Sequence, residues 1–203
     1  MKQCIVLFAL LLTGGFISAQ NNNTIKTQQS MDDNAAMDKE FVTKAAQSGK
    51  AEVMLGNLAE SRASSQMVKD YGKMMVMDHQ KANDELTTLA ARRRYMTVAT
   101  ELPADMQKDY EKLSAKTGVD FDKAFMEQMV KDHEKAVKLF RKEAENGNDP
   151  EMKSWAAKML PALEQHLQHA KDMHQQIKDY KKMTDGNNGN NKNNNPDRNM
   201  NRQ

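Results

Sequence analysis

The sequence predicts an all-α fold, a four-helix bundle in which a long crossover connects the second helix to the third. Apolar residues recur at steps of three and four through four long stretches, and no strand-like alternation persists anywhere. Aromatic residues make up 5% of the 203 residues, with only nine glycines and four prolines, which favours helices over a sandwich or barrel. Residues 38–180 are therefore expected to form one bundle domain around a single core.

The first two helices are separated by a short junction that contains serines. Helix one is predicted over about 38–61, with Glu52 in the middle of its apolar face. Helix two follows a serine cap and continues to about Arg94, with His79 among its inward residues.

The section between helices two and three, about 96–119, is too long for a simple turn. It contains Pro103 and Gly118 around a short amphipathic piece, 104–117, whereas bundle turns usually have roughly two to eight residues. Its reach is enough to run back along a helix of about 28 residues, or roughly 42 Å. We therefore expect helices two and three to run parallel.

The sequence marks both the end of helix three and the start of helix four. Helix three is predicted over about 120–146, with His133 inward, and Gly147 ends it. A capping aspartate and a first-turn proline then open helix four, about 150–180, whose inward face includes His166.

Both ends of the chain are predicted to lie outside the bundle. Residues 1–19 have the pattern of a secretory signal peptide, so the protein is expected to be exported to the periplasm or cell envelope, or secreted. The apolar run is too short for a membrane-spanning helix, and no later segment approaches one. Residues 20–37 and 181–203 are polar, which predicts a disordered linker and a disordered Asn-rich tail.

Composition excludes several classes of function. The 30 basic and 28 acidic residues are interspersed, so there is no basic stripe for nucleic acid. The only cysteine, Cys4, lies in the predicted signal peptide, which leaves the mature chain without disulfides or thiolate ligands. Catalytic triads, phosphate-binding loops and glycosidase carboxylate pairs have no support. The sequence favours a non-enzyme, identifies no protein partner and leaves a homo-oligomer open.

A repeated segment carries the candidate site. Residues 75–82 return as 129–136 with six of eight positions unchanged, and each copy has a histidine on the buried face of its helix. Each of the four helices contributes one polar residue to its apolar stripe: Glu52, His79, His133 and His166. At about 1.5 Å per residue, counting from the turns places them within roughly one helical turn of the same level.

One carboxylate and three imidazoles at one level predict a site for a transition metal such as Zn, Fe or Cu. Asp78 and Asp132 each precede a histidine and are expected to orient an imidazole or to bind the metal themselves. The role would then be metal handling or stress protection. A redox enzyme with an open metal position ranks third among the hypotheses.

Two simpler interpretations, one of the polar layer and one of the methionines, remain open. Glu52 could accept hydrogen bonds from the histidines in a dry polar layer that only specifies the fold of a structural or interaction protein of the envelope. The 17 methionines invite a copper hypothesis, but they occupy ordinary core spacings, which favours a role in filling the core.

Several short motifs carry a family resemblance: Glu52-Val53-x-Leu55-Gly56, Val68-Lys69-x-Tyr71-Gly72, Met75-Val76-x-Asp78-His79, Met129-Val130-x-Asp132-His133 and Leu160-Pro161-x-Leu163-x-x-His166-Leu167. With the signal peptide, they resemble the exported, ferritin-like proteins of domain of unknown function 4142, often labelled outer membrane proteins. The resemblance covers roughly 38–177 and implies a ferritin-like four-helix bundle and export, but no established activity. The paired Glu-x-x-His motifs of di-iron ferritin-like proteins are absent, so a single-metal or metal-free bundle is expected.

Overall fold

The computed structural model describes residues 18–93, 96–99 and 101–191, with side chains described from residue 36 to residue 183 of these. Five helices follow one another: α1 (Ser18–Arg62), α2 (Gln66–Ala91), α3 (Ala104–Ser114), α4 (Gly118–Asn146) and α5 (Pro150–Asn191). The described part of the chain contains no strand, and the all-α prediction is confirmed. None of these helices is both long enough and apolar enough to cross a membrane.

Contacts at the two ends of the bundle establish the topology. At one end, the carboxylate of Asp122, near the start of α4, accepts hydrogen bonds from the backbone N–H groups of Ser64 and Ser65, each at 2.9 Å. At the other end, Arg93, just after α2, pairs with Asp149, just before α5. Helices α2 and α4 therefore start at the same end and run parallel, and α3 lies in the predicted crossover, where it packs against α1 and α4.

The helices extend beyond the predicted bundle at both ends. Helix α1 already begins at Ser18, and α5 continues to Asn191, so the helical backbone runs into both segments for which the sequence predicts disorder. Adding a residue to an existing helix avoids the cost of nucleation, and 20–37 contains no proline to stop it. Most of the predicted signal peptide and the last part of the tail, 192–203, lie outside the described residues.

The apolar core is divided into two clusters by a layer of polar side chains. One cluster includes Leu55, Met75 and Met129, and the other includes Leu86 and Ala136. The layer lies between these clusters along every long helix, and its members are Glu52, His79, His133 and His166. Apolar packing on both sides thus fixes the height of all four side chains within the bundle.

A buried carboxyl pair closes the end of the bundle opposite the α1–α2 turn. Asp38 is fully buried, and its carboxylate accepts the backbone N–H groups of Asn148 and Asp149 at 2.8 and 2.9 Å. Glu143 is 1% exposed beside it, and burial together with the charge of Asp38 raises the pKa of Glu143 to about 7.

We expect Glu143→Gln to stabilise the protein at pH 8 relative to wild type and to lose that advantage at pH 5. Between an ordinary glutamate pKa and about 7, the folded state binds more protons at Glu143 than the unfolded state does, so this group makes stability fall as pH rises. Melting temperatures of both proteins across pH 5–8 measure the difference. Glu145→Gln, an exposed site on the same helix, is the control. An equal shift at both pH values would contradict the expectation.

Candidate metal centre

Three histidines from three helices meet in the middle of the bundle. His79 of α2, His133 of α4 and His166 of α5 are 8%, 0% and 5% exposed. Their ring centroids are 5.5 to 5.7 Å apart in every pair, which makes a nearly equilateral triangle. One ligand nitrogen from each ring lies within 4.8 Å of those of the other two.

Hydrogen bonds on the outer edges of two rings determine which nitrogen keeps its lone pair. His133 Nδ1 lies 2.9 Å from the carbonyl oxygen of Met129, and His166 Nε2 lies 3.0 Å from Oδ2 of Asp78. Since both partners are acceptors, these two nitrogens are assigned the protons. His133 Nε2 and His166 Nδ1 are then unprotonated, which is the form in which imidazole binds a metal.

The remaining ring nitrogens have no partner within the described part of the chain. Buried atoms without a hydrogen bond include Nε2 of His79, Nε2 of His133 and Nδ1 of His166, together with Oε2 of Glu52. Buried polar groups are normally hydrogen-bonded, and leaving one unpaired costs about 1–3 kcal/mol. A polar layer that only specified the fold would be expected to pair these atoms with one another. Their convergence without pairing suits a cation.

Burial keeps the three imidazoles uncharged at neutral pH. Burial is the main cause that lowers the pKa of His79 to about 3 and that of His133 to about 4, and the neighbouring imidazoles contribute to both shifts. The pKa of His166 is also lowered by burial, although its bond to Asp78 opposes that shift. A metal ion therefore does not need to displace a proton from any of the three rings.

The spacing of the nitrogens is compatible with one metal ion. Tetrahedral coordination with metal–nitrogen bonds of about 2.0–2.1 Å places ligand nitrogens roughly 3.4 Å apart. Separations of up to 4.8 Å would close to that value through small movements of the three side chains. Three imidazoles without a thiolate suit Zn, Cu, Fe or Ni better than Mg or Ca.

Glu52 lies beside the histidines but is not one of the atoms grouped within 4.8 Å. Its Oε1 is 3.9 Å from Nδ1 of His133, the ring edge that faces away from the unpartnered nitrogen. Glu52 is 2% exposed, and burial, with a further contribution from the charge of Asp132, raises its pKa well above the usual range.

The two aspartates of the repeat have different neighbours. Asp78 reaches from α2 to His166 on α5 and is half-exposed. Asp132 points away from the histidine cluster: its carboxylate accepts a hydrogen bond from Gln128 at 2.8 Å and lies 3.5 Å from Nζ of Lys135. Asp78 thus contacts one of the three histidines, whereas Asp132 faces the side on which α3 lies.

Tyr71 contacts the backbone of His166, a contact that the sequence did not predict. Its hydroxyl donates a hydrogen bond to the backbone carbonyl oxygen of His166 at 3.1 Å, in the buried interior. This bond connects α2 and α5 beside the histidines. Tyr71 precedes His79 by eight residues, about two helical turns, so the helical period places both on the inward face of the helix, but it does not show the bond to α5.

Comparison with known proteins identifies the family. The family model described as Domain of unknown function (DUF4142) matches residues 24–173. The chain belongs to the DUF4142 family. No curated protein matches it.

Solved structures similar to this DUF4142 protein share its fold. CopM in its Cu(II)-bound form is 18% identical with a TM-score of 0.59, covering 68% of this chain and 96% of CopM. CopM in its Cu(I)-bound form is 17% identical with a TM-score of 0.58 and the same coverage. A DUF305 protein from Streptomyces coelicolor is 12% identical with a TM-score of 0.60, covering 70% of this chain and 92% of the other. At these identities the likeness shows the fold, a ferritin-like helical bundle.

Proposed function

We propose that this protein is an exported metal-binding bundle that holds one transition-metal ion between His79, His133 and His166. The observation that carries the proposal is the convergence of three buried imidazoles, each with an unpartnered nitrogen, from three different helices. Metal handling or stress protection is the role that such a site suits. The signal-peptide pattern in residues 1–19 supports export.

The surrounding residues have distinct parts in the proposed site. Asp78 holds the ring of His166 with Nδ1 toward the centre. Glu52 is the buried carboxylate nearest to His133 in the polar layer and would offset part of the charge of the ion. The imidazoles supply neutral nitrogen ligands, and the metal, when bound, would supply Lewis-acid or redox chemistry that we do not assign to a reaction.

Copper is the first ion to test. The two CopM structures that share the fold contain Cu(II) and Cu(I), and imidazole ligands suit copper as well as zinc and iron. Methionine does not add to the argument, because Met75 and Met129 are fully buried within an apolar cluster, as expected of residues that fill the core.

Elemental analysis tests the proposal. Protein without a histidine tag is incubated separately with Cu, Zn and Fe salts, passed through a desalting column and analysed for bound metal. We expect close to one ion per chain for wild type and for His169→Gln, an exposed site one turn after His166. The triple variant His79→Gln, His133→Gln, His166→Gln is expected to lose the ion. Stoichiometric metal retained by the triple variant would overturn the proposal.

The alternative is a structural or interaction protein of the envelope with a metal-free polar layer. It is favoured by burial, which lowers the pKa values of the histidines and raises the pKa of Glu52 and so favours the uncharged form of each side chain without an ion. This alternative predicts that wild-type protein binds none of the three metals and that a chelator leaves its melting temperature unchanged.

A further inference from the structure

A cavity of about 460 Å³ lies under the crossover helix, between α1, α3 and α4. Its volume equals that of roughly 15 water molecules, so it can hold an ion together with its hydration shell. A second cavity, which His79 and His166 line, measures only about 60 Å³. Of these two spaces, the first is the one suited to a hydrated cation.

The carboxylate side chains that line this cavity become less exposed from the surface toward the interior. Asp105 of α3 is exposed, the side chain of Asp109 is 40% exposed, that of Asp132 is 18% exposed and that of Glu52 is 3% exposed. These four carboxylates share the cavity wall with only two ammonium groups, those of Lys44 and Lys135. The lining therefore favours cations over anions.

Glu52 connects the cavity to the histidines. It lines the cavity, its Oε2 is buried without a hydrogen-bond partner, and its Oε1 is 3.9 Å from the ring of His133. The acidic cavity and the histidine triangle therefore meet at one buried carboxylate. This unpartnered oxygen is the second observation, beyond the acidic lining, that indicates a ligand.

The carboxylates of Asp105, Asp109 and Asp132 line one cavity, where like charges repel one another. A divalent cation among these groups would relieve this repulsion. The lysine partners of Asp109 and Asp132, Lys112 and Lys135, are largely exposed and can be displaced into solvent.

We propose that this cavity is an outer binding site and entrance for a hydrated divalent metal cation, which Asp109 and Asp132 capture and Glu52 passes inward toward the histidine triangle. The inference rests on the proposed histidine site, because an entrance requires a destination. The proposal gives a function to Asp132, which precedes a histidine in the repeat but faces α3 in the structure.

Stopped-flow fluorescence with Cu²⁺ tests the entrance. Trp155 is the only tryptophan and lines the small cavity together with His79 and His166, so Cu²⁺ at the histidines is expected to quench its emission. The double variant Asp109→Asn, Asp132→Asn should slow the second-order quenching rate about tenfold at low salt, because it removes two steering charges. The difference should shrink at high salt, because the added ions screen the two charges.

The matched control is the double variant Asp70→Asn, Asp172→Asn. Asp132, Asp70 and Asp172 each accept a hydrogen bond from a glutamine four residues earlier, at 2.8 to 2.9 Å, but the last two are exposed and lie outside the cavity wall. This control changes the net charge by the same amount and should keep the wild-type rate. Equal rates in the two double variants would overturn the entrance alone. A wild-type protein that retains no copper would overturn the histidine site and the entrance together.

Discussion

Loading with metal is expected to raise the melting temperature of the wild-type protein by roughly 10 °C, and His133→Gln is expected to abolish that increase. An ion that binds only the folded state stabilises it by about 4 kcal/mol when its free concentration is a thousand times the dissociation constant. For a domain of this size, each kcal/mol corresponds to roughly 2–4 °C. His133 is the fully buried member of the triangle, so its loss removes a ligand that solvent cannot replace.

The design separates metal binding from folding. Because burial lowers the pKa of His133 to about 4, the ring is neutral at pH 7, and Gln replaces it without a change in charge. Melting temperatures are measured with and without Cu²⁺, so that any effect of the substitution on the metal-free fold is seen directly. His169→Gln should respond to Cu²⁺ as wild type does. The same metal-dependent increase in His133→Gln as in wild type would exclude this residue from the site.

The helical period explains why the core of the candidate site could be read from the sequence. A residue that lies three or four positions from buried residues of the same helix also faces the core, whichever helix packs against it. That rule placed Glu52, His79, His133 and His166 on buried faces, and the lengths of the helices placed them at one level. All four are at most 8% exposed in the structure.

The period could not decide what each flanking residue contacts. Asp78 and Asp132 occupy the same position in the repeat, yet one contacts His166 and the other lines the cavity beside α3. The two residues differ because α5 lies next to Asp78 and the crossover lies next to Asp132. A local sequence pattern does not show which element packs beside a residue. The cavity itself was missed for the same reason, since the length of the crossover can be read from the sequence but the groove that it covers cannot.

The sequence contains a pattern that predicts one member of the buried carboxyl pair at the end of the bundle. Glu143 follows the buried Phe140 by three residues and therefore continues the buried stripe of α4. Asp38 could not be found in this way, because its partners are backbone N–H groups of the α4–α5 turn, more than a hundred residues away.

Removing the carboxylate of Asp78 is expected to weaken metal binding by about 10- to 100-fold, the usual effect of losing a group that orients a ligand histidine. Asp78→Ala leaves Nε2 of His166 without its acceptor, so the ring can rotate and the proton can move to Nδ1, the nitrogen proposed to bind the metal. Asp78→Asn should fall between Ala and wild type, because the amide oxygen accepts the same bond without a charge. Competition with a chromophoric chelator measures all three affinities.

The exposure of Asp78 distinguishes a role in orienting His166 from a role in folding. The side chain of Asp78 is 51% exposed, so its pairing with His166 is expected to contribute at most about 1 kcal/mol to folding. The metal-free melting temperature should therefore change little in Asp78→Ala while the affinity falls. Asp84→Ala, an exposed site later in α2, removes the same charge from the same helix and should leave the affinity unchanged. An affinity that fell equally in Asp84→Ala would indicate a general effect of charge, and an unchanged affinity in Asp78→Ala would show that His166 needs no partner to bind the ion.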